Sequence, residues 1–443
     1  MAALLIPFGY PGYPETEMFR HIEDSKKFLS SIGIKFVSTN SIITLSHCPE
    51  AVEIAKGDNW DYVIVLIATW IEAPHVCNVL SAADLENKPM FLWSHDNVYD
   101  ENEKATISFG PIAAAGVMRE TFEEMGYRFR FAVSNPFEPA LAKQIKAFDR
   151  AARTIAKLKR SRLGLFDYTS MGMYTGLADH IKVKRLLGAE IVHVNQYAVL
   201  NGLAGVDRSL IEETKAVLRK EFSIAPDIEE ELLDKTASIY QRLQELKTEH
   251  VLDALTVKCQ YEMSIDFGFS PCVALSVLGA ELPVSCEGDI YLLLSQMILH
   301  SMSGETTTYG DVLGFLEDGV ICAACGFAPK CFMAPERPCI SKHTAICTGL
   351  MYTSSFKTQD VTVIRLANLK DGFKMHVIHG RTEELKDFHE IGCPQYAGSI
   401  IRFQNKDVEA FKQEIMSQHY AIVPGNLLEE LECFCALTGI KVI

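Results

Sequence analysis

The sequence predicts an α/β protein with two Rossmann-like parallel-sheet domains followed by a mostly β C-terminal domain. Three observations favour this fold class. Short apolar runs alternate with helix-type spacing in the first third of the chain, the alternation restarts near Arg162, and strand-like runs dominate after about Gly304. The predicted domains are therefore residues 1–158, 159–303 and 304–443.

The N-terminal domain has the strand–helix rhythm of a parallel sheet. A helical pattern over Glu15–Ile32 follows the first strand, and the long charged helix Pro136–Lys159 leads into the next domain. Neither this domain nor the next contains a G-x-G-x-x-G or Walker loop, which argues against a dinucleotide or nucleoside triphosphate cofactor. The predicted strands are Leu4–Phe8, Ile34–Ser38, Tyr62–Ala68 and Met90–Ser94.

The central domain repeats the scheme, with helix-type spacing over Asp207–Phe222 and Ile228–Glu249. Its last strand ends on Glu287-Gly-Asp289, where two carboxylates appear before a helical pattern over Ile290–His300. Open α/β sheets bind ligands beyond the carboxyl ends of their strands, so this segment is a candidate ligand site. The predicted strands are Leu163–Phe166, Glu190–Val194, Leu255–Lys258 and Pro283–Cys286.

The C-terminal domain is predicted to be mostly β, with turns such as Lys370-Asp371-Gly372 between strand-like runs. Two helices, Lys406–Ser417 and Leu427–Leu437, are expected after the strands. The predicted strands are Gly319–Gly326, Val361–Ala367, Phe373–Gly380 and Ser399–Gln404.

Composition excludes several classes of function. The 443 residues are 48% hydrophobic, which supports large buried cores. The net charge of −15 argues against nucleic acid as a partner, because a phosphate backbone would be repelled. No apolar run approaches the roughly 18 residues of a membrane span, and the N-terminus reads as a first strand, not as a signal peptide. We therefore expect a cytoplasmic protein that does not bind a membrane.

Thirteen cysteines without a leader argue for reduced thiols, not for a disulfide framework. The step from Cys322 to Cys325, in a cluster with Cys331, Cys339 and Cys347, is compatible with zinc. The second close pair of a zinc finger is absent, and the flanking residues are apolar. The pattern therefore favours buried thiols that pack as small hydrophobic groups.

Three residues suit a divalent cation with open coordination positions: Glu287, Asp311 and His419. Oxygen ligands with one imidazole favour manganese or magnesium over zinc. Each residue also has an ordinary structural interpretation. Asp311 in Tyr309-Gly-Asp-Val-Leu is typical of a turn, and His419, which follows a helix and precedes a strand, is typical of a helix-end cap.

The chain resembles the L-fucose isomerase and L-arabinose isomerase superfamily of ketol isomerases over nearly its whole length. The order and spacing of the matching segments carry more weight than any one of them. These segments are Thr69–Pro74, Ala254–Glu262, Asp266–Cys272, Ser285–Asp289, Tyr309–Leu313, Cys325–Pro329 and Gln418–Gly425.

The resemblance implies a bound Mn²⁺, with Mg²⁺ or Co²⁺ as alternatives, held by Glu287, Asp311 and His419. It also implies that the two carboxylates act as acid/base groups on a cis-enediol intermediate, and that the protein is a homo-oligomer with active sites near subunit interfaces. Many relatives carry a histidine where this chain has Ala324. That departure favours a three-ligand site and leaves open its effect on activity.

Five further residues are candidates for substrate binding, and each has a structural alternative. Lys258, at the end of a strand, could bind an anionic or hydroxyl-rich substrate or lie on the surface, and Glu262 could hold a sugar hydroxyl or be a solvated loop residue. Trp70 could stack on a sugar face or pack in the core. Tyr10 and Tyr13 lie in a loop that could complete a neighbouring subunit's pocket or cap the helix after it.

The leading hypothesis is a metal-dependent aldose–ketose isomerase that acts on a monosaccharide. A fucose-like aldose, another deoxy sugar and the sulfonated sugar sulfoquinovose all remain open as substrates. A 2-epimerase remains open too, because the same enediol can be reprotonated on its other face. The alternative from another class is a non-catalytic sugar-binding or regulatory protein on the same fold, which the departure at Ala324 keeps open.

Overall fold

The structure is a computed structural model of the 443-residue chain. It describes residues 2–12, 15–57, 60–96, 98–101, 104–107, 110–334, 338–343, 348–385 and 396–443. The chain forms two compact units, one of Met1–Ala156 with Glu429–Ile440 and one of Lys157–Leu428 with Lys441–Ile443. None of the described helices has the length and apolar character of a bilayer span.

The first unit contains a parallel sheet in the strand order β2-β1-β3-β4-β7. Every residue of β1, β3 and β4 is buried, as expected of parallel strands that are covered on both faces. The predicted strands are confirmed. The fifth strand, β7, was not predicted, because it is only partly buried and carries Arg130. The strands are β1 (Ala3–Phe8), β2 (Phe36–Ser38), β3 (Tyr62–Ile67), β4 (Met90–Ser94) and β7 (Phe129–Val133), with a hairpin of β5 (Val98–Glu101) and β6 (Lys104–Ile107).

Helices connect these strands, and the last helix of the chain also belongs to the first unit. That helix, α13 (Leu428–Thr438), contributes all but its first residue, and its Glu430 forms a 2.8 Å ion pair with Arg150. From the sequence, this helix was expected in the C-terminal domain, residues 304–443. The other helices are α1 (Glu15–Ser31), α2 (Cys48–Ala55), α3 (Ala73–Ala82), α4 (Pro111–Glu124) and α5 (Pro139–Leu158), whose last turn crosses into the second unit.

The second unit begins with a parallel sheet in the order β12-β11-β8-β9, and its four strands are those that the sequence predicts. A small sheet in the order β10-β15-β16 lies in the same unit. The strands of the two sheets are β8 (Arg162–Phe166), β9 (Glu190–Val194), β10 (Ser223–Ile224), β11 (Ala254–Val257), β12 (Val284–Cys286), β15 (Cys339–Lys342) and β16 (Leu350–Thr353).

The third sheet of this unit is largely antiparallel, in the order β17-β20-β13-β14-β19-β18-β21. It closes on itself because β17 also pairs with β18. The predicted strands of the C-terminal region are confirmed, and β13, β20 and β21 are added to them. The strands are β13 (Thr308–Phe315), β14 (Gly319–Ala324), β17 (Asp360–Leu369), β18 (Gly372–Glu384), β19 (Ala397–Phe403), β20 (His419–Pro424) and β21 (Lys441–Val442).

One helix joins the parallel sheet to the closed sheet. Helix α11 (Ile290–Ser303) is buried along almost its whole length and packs against β11 and β12 on one side and against β13, β17 and β20 on the other. A helix that is apolar all round is typical of such a central position. The central and C-terminal segments therefore share a core within one compact unit, although the sequence analysis divided them at residue 304.

The remaining helices of the second unit lie in its connections. Helix α9 packs against α7, α8 and α10, and α6 covers β9. These helices are α6 (His180–Leu187), α7 (Tyr197–Gly202), α8 (Arg208–Glu221), α9 (Glu230–Glu249), α10 (Cys272–Leu278) and α12 (Val408–Glu414).

Candidate active site

The loop between β12 and α11 presents the first predicted ligand, Glu287. Its backbone is left-handed at Glu287 (φ +65°) and at Gly288 (φ +68°). The backbone N–H of Ser170 donates to the Glu287 carbonyl at 2.8 Å, and the Thr169 hydroxyl donates to the Gly288 carbonyl at 3.0 Å. A Cβ at position 288 would lie 2.2 Å from the Tyr168 carbonyl oxygen, so this tight turn requires glycine.

Asp289 anchors three elements at the site. One carboxylate oxygen caps α11 by accepting from the backbone of Leu292 at 2.9 Å. The other accepts from Arg365 at 2.7 Å and from Nδ1 of His419 at 2.9 Å. Burial would raise the pKa of Asp289, but the guanidinium and the imidazole hold it well below its usual range. Arg365 is itself fully buried and also donates to the Thr175 carbonyl at 2.7 Å.

Asp311 and His419 meet because of strand register. The two residues are direct partners in the antiparallel pair of β13 and β20, and side chains of directly opposed residues are close neighbours. Nε2 of His419 lies 3.4 Å from a carboxylate oxygen of Asp311 and 3.4 Å from one of Glu287. The structure thus brings the three predicted ligands together. Asp311 lies within a strand, not in a turn, and His419 begins a strand instead of capping a helix.

The donor set of these three residues fits a divalent cation. Within the described part of the chain, the buried Nε2 of His419 has no hydrogen-bond partner, although two carboxylate oxygens lie near it. The contact between Nδ1 and Asp289 fixes the ring so that Nε2 faces the carboxylates. A histidine oriented by a carboxylate and pointing its other nitrogen at further oxygen ligands is a recurrent metal-binding arrangement.

The electrostatics of the site also favour a positive charge. Burial alone would lower the pKa of His419, but Asp311, Asp289 and Glu287 raise it to about 10. Burial raises the pKa of Asp311 to about 6, an effect that His419 opposes and Glu287 adds to. In the metal-free protein a proton on the imidazole thus balances the carboxylates. A bound cation would displace that proton and favour ionised carboxylates.

A cavity of about 340 Å³ opens onto these groups. Glu287 and Asp311 line it together with Gln260, Gln418 and Tyr396. Its volume is in the range of small-molecule sites.

Ala324 occupies the position at which many members of the resembled family carry a histidine. This position is buried at the end of a strand. Ala324 is the last residue of β14 and pairs with Ala397 of β19. Its neighbours Ala323 and Cys325 line the cavity that contains the candidate ligands. The structure therefore places this position at the edge of the candidate site.

Lys258 is buried and not a surface residue. Its ammonium group pairs with Glu262 and lies 3.5 Å from the centre of the Tyr168 ring. Burial would lower the pKa of Lys258, but Glu262 and Tyr168 raise it, so the side chain stays charged. Lys258 lines a second cavity of about 280 Å³, which shares Met171 and Met173 with the first. Glu262 itself is partly exposed.

The other candidates for substrate contact belong to the first unit. Tyr10 follows β1 and Trp70 follows β3, so both lie beyond the carboxyl ends of neighbouring parallel strands. The backbone N–H of Tyr10 donates to the Thr69 hydroxyl at 2.9 Å, and Trp70 packs against the core of this unit. Tyr13 lies outside the described residues. Substrate contact by these residues stays a prediction.

The cysteines of the cluster near residue 330 are not uniformly buried. Cys322 is buried, Cys325 and Cys339 are partly buried, and Cys347 lies outside the described residues. Cys331 is exposed, so the prediction of a buried thiol was wrong there. It lies in a single helical turn after β14, and the neighbouring Phe332 provides the buried contact instead.

Sequence reasoning missed two parts of this site. It noted Asp289 as a second carboxylate but assigned no role to it, and it did not identify Arg365. A signal for Arg365 exists in the sequence, since it is a lone cation within the otherwise apolar strand Val361–Ala367. A buried charge in such a strand needs a partner, and Asp289 is that partner.

The fold and the site together define an α/β protein in which two carboxylates and an imidazole converge beside a cavity at the end of a parallel sheet. Sulfoquinovose isomerases of Priestia aryabhattai and of Priestia megaterium (strain ATCC 12872 / QMB1551) are each 20% identical to the chain over 442 residues, which is 97% of this chain and 95% of theirs. The sulfoquinovose isomerase of Clostridium sp. (strain MSTE9) is 24% identical over 448 residues, covering 96% and 95%. These near full-length similarities identify the chain as an isomerase.

Two other comparisons add nothing to this conclusion. No family model matches the sequence. Among solved structures, a solute-binding protein of an ABC transporter from Agrobacterium vitis, bound to α-D-tagatopyranose, aligns at 8% identity with a TM-score of 0.17. The alignment covers 69% of this chain and 90% of that one, and a similarity at this level supports no argument about fold or function.

Proposed function

We propose that the protein is a metal-dependent aldose–ketose isomerase that acts on a sulfonated monosaccharide. The observation that carries the proposal is the convergence of Glu287, Asp311 and His419. A carboxylate oxygen of Glu287 and one of Asp311 each lie 3.4 Å from Nε2 of His419. Near full-length similarity to three sulfoquinovose isomerases supports the reaction class and the substrate class.

Glu287, Asp311 and His419 would hold the cation, which we expect to be Mn²⁺, with Mg²⁺ or Co²⁺ as alternatives. When bound, such an ion acts as a Lewis acid that stabilises negative charge developing on the substrate's oxygens. Asp289 orients the imidazole through Nδ1, and Arg365 holds Asp289 in place. These two positioning residues hold the imidazole ligand in its orientation before the substrate binds.

The carboxylates of Glu287 and Asp311 supply the proton transfer. Interconversion of an aldose and a ketose moves a proton between C1 and C2 through a cis-enediol. One carboxylate takes the proton from carbon and a carboxylic acid returns one to the neighbouring carbon. Both groups line the same cavity, so a sugar there can contact both. Burial raises the pKa of Asp311 to about 6 in the metal-free protein, and a bound cation would lower it, so that Asp311 is ionised and able to accept a proton.

Lys258 is our candidate for the group that binds the sulfonate. It stays charged and lines a cavity that adjoins the carboxylate cavity through Met171 and Met173. A sugar that spans both cavities would place its reacting end at the carboxylates and its anionic end at the ammonium group. The sulfonate would then replace Glu262 as the partner of Lys258.

The test is an assay of the purified, metal-loaded protein with sulfoquinovose, glucose and fucose. We expect conversion of sulfoquinovose to its ketose, loss of that conversion after chelation with EDTA, and recovery on addition of Mn²⁺, because the ion stabilises charge at the transition state. The measurement is proton NMR of the product, with exchange of the C2 proton for solvent deuterium as a second readout.

Other results of this assay would contradict the proposal in distinct ways. Sugar binding measured by calorimetry without conversion of any sugar would support a non-catalytic binding protein. A product that is epimeric at C2 would indicate a 2-epimerase. Full activity after complete removal of divalent metal would exclude metal dependence.

Replacing Lys258 by Met should lower kcat/KM for sulfoquinovose by about 10- to 150-fold, mainly through KM. The basis is the loss of one hydrogen bond to a charged group, which is worth about 1.5–3 kcal/mol. Turnover of any neutral aldose that the protein accepts should change little. The measurement is a pair of steady-state assays on K258M and the parent protein.

The matched control is Glu262→Gln, which keeps the cation and removes its carboxylate partner. We expect this variant to retain the preference for the sulfonated sugar. An equal loss of activity on sulfonated and neutral sugars in K258M would show that Lys258 has a structural role only. A cytoplasmic location and a homo-oligomer with active sites near subunit interfaces remain part of the proposal.

A further inference from the structure

A second cluster of side chains that could bind a metal lies in the second unit. It shares no residue with the candidate site of Glu287, Asp311 and His419. The thiol sulfurs of Cys272 and Cys325 and a ring nitrogen of His343 all lie within 4.8 Å of one another. Cys272 begins α10, Cys325 follows β14, and His343 follows β15. Three segments that are distant in sequence thus contribute one donor each.

Two of the three donors are deeply buried. Cys272 is 2% exposed and His343 is 3% exposed. Cys325 is partly buried and lines the cavity at the carboxylates. A Cβ on Gly326 would lie 3.1 Å from the Cβ of Cys272 and 2.8 Å from that of Met351, which shows how closely the chain packs around the sulfurs.

Backbone contacts hold the segment that carries His343 against the segment that carries Cys272. The N–H of His343 donates to the Gly349 carbonyl at 2.9 Å. Both the N–H and the hydroxyl of Ser270 donate to the Thr348 carbonyl, at 2.7 and 2.9 Å. The segments that carry Cys272 and His343 are therefore fixed relative to each other by contacts that do not involve the side chains of these two residues, and such pre-organisation favours binding.

We propose that Cys272, Cys325 and His343 form a zinc site. Two thiolates and one imidazole are the ligand types that select Zn²⁺ over harder cations. In a tetrahedral zinc site the donor atoms are about 3.5–3.8 Å apart, so the donors, which lie within 4.8 Å of one another, would move together by at most about 1 Å. The fourth position is available to a solvent molecule, since Cys325 also lines the cavity at the carboxylates.

Binding has a simple chemical balance. The ion replaces the protons of two thiols with two sulfur–zinc bonds, and the protons go to solvent. No change of oxidation state is involved. The bound ion would tie the end of β14 to the start of α10 and the end of β15, so it would stabilise the cavity wall near Cys325. The site does not depend on the proposed isomerase activity, because it shares no ligand with Glu287, Asp311 and His419.

A second set of three possible metal ligands in the same unit is the alternative position for a zinc ion. The thiols of Cys259 and Cys286 and the carboxylate of Glu287 also lie within 4.8 Å of one another. Its third donor is one of the candidate ligands of the isomerase site, so zinc there would compete with Mn²⁺. Variants that remove Cys272 and Cys259 separately therefore distinguish the two positions.

The experiment uses the full chain, stripped of metal and titrated with Zn²⁺ or with Co²⁺ as a spectroscopic substitute. We expect one equivalent of zinc to remain after dialysis, and thiolate-to-cobalt charge-transfer absorption in the near ultraviolet. Cys272→Ser and His343→Ala should reduce the retained zinc at least 10-fold. Glu287→Gln, Cys259→Ser and Cys433→Ser, the last at a buried cysteine of the first unit, should retain it.

Three results would overturn the proposal. The first is the absence of thiolate-to-cobalt absorption in the parent protein, a measurement that needs no variant to fold. The second is loss of zinc in C259S or E287Q with retention in C272S, which would place the ion at the other group. The third is equal zinc content in all variants. Circular dichroism of the metal-free proteins confirms that C272S and H343A fold, and failure of the isomerase assay leaves all these readouts unaffected.

Discussion

Replacing Glu287 by Gln or Asp311 by Asn should lower kcat for the isomerase reaction by at least about 10²- to 10⁴-fold, the usual contribution of a general acid or base. Both residues line the cavity and lie 3.4 Å from Nε2 of His419, so each variant removes a proton carrier and a cation ligand together. The measurement is single-turnover conversion of sulfoquinovose at saturating Mn²⁺, which separates chemistry from product release.

A matched control is Glu281→Gln, because Glu281 lies outside the cavity and contacts Tyr240 and Lys247. This variant should retain the activity of the parent protein. Circular dichroism should show that all three variants fold, since each amide replacement keeps nearly the size of the original side chain. Retention of more than about a tenth of the activity in both E287Q and D311N would contradict the assigned roles.

Replacing Arg365 by Met should reduce the free energy of unfolding by about 3–5 kcal/mol, the usual cost of removing one partner from a buried ion pair. Arg365 and Asp289 are both fully buried, and their contact is 2.7 Å. Without the guanidinium, Asp289 would be left with His419 as its charge partner in an apolar environment. The measurement is equilibrium unfolding in urea, on protein without added metal.

The exposed pair Arg381–Asp360 provides the control, since its 2.8 Å contact has both side chains about half exposed. R381M should cost about 0–1 kcal/mol, because solvent screens such pairs. The double variant R365M/D289N should recover part of the loss, because it also removes the buried carboxylate that has lost its guanidinium partner. A loss below about 1 kcal/mol for R365M alone would show that Asp289 does not depend on this partner.

Much of the fold could be predicted because the parallel strands are buried on both faces. Such strands appear in the sequence as continuous apolar runs, and Tyr62–Ile67 is the clearest example, with every residue buried. The edge strand Phe129–Val133 was missed for the opposite reason, since its partial burial leaves room for Arg130. Apolar content thus identifies central strands more readily than edge strands.

The strands that carry Asp311 and His419 were harder to predict. In β13, glycines at positions 310 and 314 interrupt the pattern, and the register with β14 shifts between Val312 and Gly314. The pairing of Asp311 with His419 spans more than a hundred residues, so no local pattern indicates it. The resemblance to ketol isomerases identified both residues, and strand register explains why they meet.

Long-range pairing also explains what sequence reasoning missed. Nothing near Cys325 in the sequence indicates that Cys272 and His343 are its neighbours, because each comes from a different strand or helix end. The same applies to Arg365, which meets Asp289 only through the packing of β17 on α11. Residue type suggested the possible chemistry in each case, but the topology determined the partners.

The left-handed backbone at Glu287 has a consequence for how this protein can evolve. That conformation is costly for any residue with a Cβ, so a glycine there would make the folded chain more stable and at the same time remove the carboxylate. Selection for thermal robustness and selection for turnover therefore act in opposite directions on a single codon. In a descendant of this chain that is no longer under selection for activity, we expect this glutamate to be replaced early.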